Sequence, residues 1–381
     1  MKKRKIKRST HFVLLITILA FSFKTMAQDE SVVLRGTIGK YPVTLSIEKD
    51  NQNISARYFY NSTSKTIRLD SCSQNGRLLV LSTNSYFDEN QEKFVLNVNA
   101  NKYAGYWTNN RNKKLAVYLY KINTTRLQSP LEKYPYIKSL KQNEPFEYLR
   151  LYQLNIKSDS VALQDGRKIS WLVDSRHDIK MFQLKDGYSA AVIKSVNDSL
   201  SKLFFQEIQN KLSCSSPFGE GEYELSVKNI FLSKNIISLC LSVSYYCGGA
   251  HPDFGLITAN FNAQNGQPLE LDKIIRFNDE HIPEKGTDEW YPYRSDNFAK
   301  AVVALFQKLH PKEMKPSDEE ACRYDDPEVW NFPSWYFTKE GLVLEPMFAR
   351  VMRVCDNPGW GVIPYAQLKK IKNPSFHLSF P

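Results

Sequence analysis

Hydrophobic and polar positions alternate through the first third of the chain. Short apolar-polar runs lie at residues 33–39, 41–47, 54–60, 67–69, 78–81, 94–98, 103–107 and 115–120. A period of two sends alternate side chains to opposite faces, the mark of strands buried on one side. Turn-forming groups separate them at Lys49-Asp50-Asn51, Gln74-Asn75-Gly76 and Asn109-Asn110-Arg111-Asn112. Strands and turns at this spacing predict an all-β sandwich or small barrel of about eight strands over residues 28–123.

Residues 124–145 break the pattern. Ser129-Pro130, Tyr134-Pro135 and Glu144-Pro145 interrupt a polar, lysine-rich stretch, which reads as a linker. The remainder, 146–381, mixes two periods. Strands are expected at 146–156, 169–174, 222–231, 236–246, 255–261, 335–337, 342–344 and 361–365. Over 194–212 the apolar residues Val196, Leu200, Leu203, Phe204, Ile208 and Leu212 recur every three or four positions, so one helical face is apolar. Phe298, Val302, Leu305, Phe306 and Leu309 do the same over 295–309, and 366–372 reads as a terminal helical turn. The fold class expected is therefore α+β: an N-terminal all-β unit, then a domain with two helices packed on an antiparallel sheet.

Charge changes the picture at one end. Residues 2–8 hold six cations, residues 12–23 are apolar, and Thr25-Met26-Ala27 is a small-residue exit. That order is expected of a signal peptide, residues 1–27, cleaved after Ala27, and its apolar core is short for a membrane span. The whole chain carries a formal charge of +11, and seven of its cations lie in residues 1–27. The rest holds 44 basic against 40 acidic residues, without long runs. Such a balance is no nucleic-acid footprint. The expected location is the periplasm or the exterior, with membrane contact only through the signal peptide.

All six cysteines (Cys72, Cys214, Cys240, Cys247, Cys322 and Cys355) follow that segment. An oxidising compartment favours disulfides, though six cysteines allow fifteen pairings. Cys322 with Cys355 is the first expectation, and Cys214 with Cys247 or Cys240 the second. No C-x-x-C pair is present, so zinc is not expected, nor any other metal or cofactor.

The sharpest stretch is Tyr245-Tyr246-Cys247-Gly248-Gly249-Ala250-His251-Pro252, between two predicted strands. Paired glycines permit positive φ or close approach, and Pro252 ends ladder bonding. The result is a stiff loop presenting one imidazole. His251 lacks the partners a general base or metal ligand would need, since Asp253 is separated by Pro252 and no G-x-S-x-G or H-E-x-x-H is present. Its expected role is to hydrogen-bond within the loop and hold the turn against the sheet. Tyr246, Gly248, Gly249, His251 and Asp253 are candidate ligand-binding residues. Trp330 and Trp335 join them, because carboxylates cluster nearby at Asp318-Glu319-Glu320, Asp325-Asp326 and Glu328. Such a cluster would steer a cationic partner. An acid pair could also serve glycoside hydrolysis.

Four motifs in order carry a resemblance. They are residues 245–252, the strand and turn at 260–269 with Asn265-Gly266, residues 335–342, and Val362-Ile363-Pro364-Tyr365-Ala366-Gln367-Leu368. Together they resemble the RsiV-like extracytoplasmic domain (DUF3298-type) of anti-sigma factors that sense lysozyme, a domain also attached to some secreted polysaccharide deacetylases. The resemblance covers about residues 178–372. It implies an α+β domain that binds a lysozyme-like protein or a peptidoglycan fragment at the cell envelope without acting as an enzyme. A secreted cell-wall polysaccharide hydrolase or deacetylase-associated module is the alternative. Only eleven residues precede the apolar segment, so the binding half alone is carried over, without release of a sigma factor.

Overall fold

The computed structural model describes residues 30–50, 53–83, 91–216, 219–278, 281–315 and 322–381. The expected signal peptide and the acidic run Asp318-Glu319-Glu320 lie outside the described residues.

The N-terminal unit is one antiparallel sheet of nine strands. They are β1 (Glu30–Ile38), β2 (Tyr41–Asp50), β3 (Asn53–Tyr60), β4 (Ile67–Leu69), β5 (Ser71–Asn75), β6 (Leu78–Ser82), β7 (Glu92–Asn99), β8 (Lys102–Asn109) and β9 (Lys114–Lys121). The order β4-β3-β2-β1-β9-β8-β7-β6-β5 joins the first strand to the last and leaves the seam between β4 and β5, which follow each other in the chain. The result is a nearly closed barrel. Its interior is solid: Leu34, Leu45, Tyr58, Phe94, Leu96, Trp107 and Val117 fill it. Closure needs close backbone approach, as a side chain at Gly36 would strike the Tyr118 carbonyl and one at Gly105 the Val95 carbonyl. The strand absent from the sequence expectation is β5, whose Ser-Cys-Ser-Gln-Asn residues carry no apolar alternation.

Residues 124–145 are not a linker. Two 3-10 turns, Thr124–Arg126 and Pro130–Lys133, lead into helices α1 (Pro135–Asn143) and α2 (Pro145–Leu151). Each proline taken for a break stands at a first helical position, where its missing N–H costs nothing. The strand expected at 146–156 is likewise corrected, since α2 occupies its first half and Phe146, Tyr148, Leu149 and Leu151 are buried. This segment locks the two halves together. Phe146 packs edge-on against Phe59, Arg57 pairs with the buried Glu147 at 3.3 Å, and Arg150 reaches Thr66, Ser213 and the Gln209 carbonyl.

The C-terminal half is built from small sheets and two longer helical runs. A sheet centred on Arg167–Asp174 and Ile179–Leu184 packs under α3 (Ala190–Ser213), the helix expected at 194–212. Glu222–Leu232, Ile236–Tyr246 and Asp253–Asn262 form a three-stranded meander. Ser334–Phe337, Gly341–Glu345 and Val362–Pro364 form another, packed with the helical run Trp290–Leu309. Buried polar links join the two meanders. The Ser238 hydroxyl donates to Asn260 at 2.6 Å and accepts from the Phe337 amide at 2.9 Å. Lys228 pairs with Glu345 at 3.1 Å, and Glu345, wholly buried, also accepts from the Tyr336 hydroxyl at 3.1 Å. Burial pushes the nearby Cys240 thiol up to about 12, which keeps it protonated and unreactive.

Candidate functional site

The Gly-Gly-Ala-His loop closes the hairpin between Ile236–Tyr246 and Asp253–Asn262, which pair as far as Tyr245 with Asp253. Of the two glycines only Gly248 needs positive φ, at 86°. A side chain at Gly249 would meet little. The disulfide Cys214–Cys247 ties the loop to the end of α3. Cys214 had two open partners in the sequence, and the other, Cys240, is a free thiol inside the meander. Gly221 belongs to this tie, because a side chain there would collide with the Cys214 sulfur at 2.7 Å.

The imidazole does not do what the sequence suggested. His251 is exposed and its ring makes no hydrogen bond among the described residues; only its carbonyl is engaged, accepting from Arg350 at 3.4 Å. The loop is held instead by Arg353, a residue the sequence did not single out. Its guanidinium donates to Asp253 at 2.7 Å, to the Phe254 carbonyl at 2.5 Å and to Asp356 at 3.0 Å, and lies over the Phe254 ring. The imidazole that a carboxylate does orient is His177, with Nδ1 2.5 Å from the buried Asp174 in the turn after Arg167–Asp174.

Arg353 sits on a 3-10 strap, Arg350–Cys355, fixed at its end by the second disulfide, Cys322–Cys355. The Tyr324 hydroxyl donates to the Cys355 carbonyl at 3.0 Å, and the Phe348 amide donates to Asp356 at 2.7 Å. On this braced strap Val351 is 89 % and Val354 86 % exposed. Met347 and Phe254 beside them are also exposed. Loop and strap together form an apolar crest held by two disulfides and an arginine with three partners. The sequence hides it, because Val351 and Val354 three apart look like the buried stripe of a short helix.

The two tryptophans part company. Trp330 is wholly buried, packed on Phe306 with its indole N–H bonded to the Tyr324 carbonyl, so it belongs to the core and not to a ligand surface. Trp335 lines a separate cleft of about 280 Å³ with Trp290, Phe332, Glu270, Asp272 and Arg294, and with none of the loop residues. At its floor Asp272 accepts from the Trp290 indole at 2.8 Å and from Arg294 at 2.7 Å. Burial pulls the Arg294 guanidinium down from its usual range while Asp272 opposes the shift. The pair is mutually neutralised and serves to fix the aromatic walls.

The carboxylates expected to attract a cationic partner are largely committed. Asp325 is bound twice by Arg323, which holds it below the usual carboxylate range, and Asp326 caps the turn Pro327–Trp330. Among the described residues no group of three or more histidine, cysteine, aspartate or glutamate side chains is placed to hold a metal ion. Among the same residues no helix is long and apolar enough to cross a membrane.

No family model and no curated protein matches the chain. Two crystal structures are similar to it. One is a DUF3298 family member from Bacteroides fragilis, 14 % identical, with a TM-score of 0.34 over 58 % of this chain and 94 % of that one. The other is a DUF3298 family protein from Pseudomonas aeruginosa, also 14 % identical, with a TM-score of 0.30 and the same coverage.

Proposed function

We propose that the protein is an extracytoplasmic binding protein whose C-terminal half grips a protein partner through the crest, with no chemistry of its own. The observation that carries this reading is the exposure of Val351 and Val354 on a strap tethered by a disulfide and by Arg353. Burying a valine or phenylalanine side chain is worth about 1.5–3 kcal/mol each, so a partner covering the crest gains substantially. A pre-braced surface also loses little entropy on binding. Two disulfides among the described residues suit an oxidising compartment. Exposed apolar residues rimmed by charged ones, here Arg350, Arg353 and Asp253, are the usual composition of a protein-docking patch.

A lysozyme-like muramidase is the first partner to test, from the RsiV-like motifs of the sequence. Titration calorimetry with lysozyme should give binding to the oxidised protein and none to Val351→Asp/Val354→Asp. A wild-type protein that binds no muramidase demotes that partner. Equal binding by the variant removes the crest from the reading. Clearing of a cell-wall suspension by the purified protein would replace the binding role with the hydrolase alternative, for which the aromatic cleft at Trp290 and Trp335 would be the place to look.

A further inference from the structure

The barrel carries a surface that the crest does not involve. The C-terminal half covers the outer faces of β1, β2 and β3, where Val33, Thr44, Ser46 and Phe59 are buried. On β7, β8 and β9 no outward-facing residue is buried. Their register places those residues in four rows: Lys93–Thr108–Lys114, Val95–Tyr106–Ala116, Asn97–Ala104–Tyr118 and Asn99–Lys102–Tyr120. No aspartate or glutamate stands among them.

Three tyrosines therefore line a wall whose only charges are positive. Tyr118 is 66 % and Tyr120 55 % exposed. The row neighbours of Tyr118 are Ala104 and Thr37, so small side chains flank its ring on both sides. Lys114 already places its ammonium 3.8 Å from the centre of the Tyr106 ring, the mark of a surface that holds charge and π-face together. Residues two apart on a strand stand about 7 Å from each other, so Tyr118 and Tyr120 offer successive platforms along β9, with lysines in the first row and the last.

We propose that this wall binds an extended, carboxylate-bearing polysaccharide. The C–H faces of the sugar rings lie on Tyr118 and Tyr120, and the uronate carboxylates reach Lys93, Lys102 and Lys114. A neutral glycan leaves those cations unused. Single-stranded nucleic acid is disfavoured because the charge is split between the ends of the wall, whereas such ligands are tracked by a continuous basic groove.

Affinity electrophoresis of the full-length protein through gels containing polygalacturonate tests this, with dextran gels and oligothymidylate competition alongside. The expected result is retardation by polygalacturonate alone, weakening as salt is raised. Tyr118→Ala/Tyr120→Ala should lose about tenfold in affinity with an unchanged melting temperature, and Lys102→Gln/Lys114→Gln should flatten the salt dependence. No retardation, equal retardation by dextran, displacement by oligothymidylate below the polygalacturonate concentration, or wild-type affinity in the tyrosine variant would each overturn the proposal.

Discussion

The two halves of this molecule solve the same problem differently. The barrel is held by ladder hydrogen bonds running from strand to strand around a filled interior, so its stability is spread over many equivalent contacts. The C-terminal half combines helices with small sheets, none wider than four strands among the described residues. It relies on a few particular side chains, namely Ser238, Glu345 and Arg353, and on two disulfides. Concentrating stability in cross-links lets a surface stay apolar and exposed without collapsing. The barrel exposes tyrosines with their polar tips; the C-terminal half exposes valines on a tethered strap.

If that contrast is right, the largest effect should come from the cross-links. Each disulfide closes 33 residues of sequence separation, which on loop entropy is worth about 4 kcal/mol. Cys322→Ser/Cys355→Ser should lower the melting of the C-terminal half by that order and leave the barrel transition in place, as resolved by calorimetry. A single transition shifted as a whole would show that the interlock through Arg57, Glu147 and Arg150 couples the halves more tightly than the cross-links separate them.

Next in size is the buried carboxylate between the meanders. Glu345→Ala strips Tyr336 and Lys228 of their partner, and should cost about 3 kcal/mol in chemical denaturation. Lys228 is about a third exposed and can turn to water, so a cost well above that figure would mean the two sheets separate.

The barrel offers a pH test of similar size. Glu92 points inward, accepts hydrogen bonds from Tyr58 and from the Trp107 indole, and burial raises its pKa from 4.5 to about 7, opposed by the indole bond. A carboxyl raised on folding stabilises in its protonated form. Its contribution is full below about pH 4.5, declines as pH rises toward 7, and is gone above it. The span is about 3 kcal/mol. Urea titrations should show the barrel weakening over that window and Glu92→Gln removing the slope. A barrel stabilised by raising the pH would reverse the assignment.

The smallest effect sharpens the reading of the loop. His251→Ala should leave the melting temperature within the change expected of a surface substitution, about 0.5 kcal/mol, whereas Arg353→Ala should not. A marked loss on removing His251 would restore the structural role that its exposed ring argues against.

Much of the barrel could be read in advance because alternation is local: each residue declares its face. The seam strand β5 was lost for the same reason, being polar on both sides. Helices α1 and α2 were missed because Pro135 and Pro145 punctuate equally well as breaks or as first helical residues, and only the packing of Phe146 and Ile137 decides. The site was legible in part. Tyr246 and Asp253 end the two strands of one hairpin and Gly248, Gly249 and His251 lie in its loop, while Trp335 lies in the cleft and Trp330 in the core. What no local pattern carries is long-range pairing: Arg353 meets Asp253 across a hundred residues, on the same strap that exposes Val351.

The most direct measurement is hydrogen exchange on the oxidised protein with and without saturating lysozyme. The account predicts slowed exchange at residues 347–356 and at the Gly-Gly-Ala-His loop, with the barrel amides unaltered. Protection confined to the barrel, or bound lysozyme that leaves residues 347–356 exchanging as in the free protein, would contradict it.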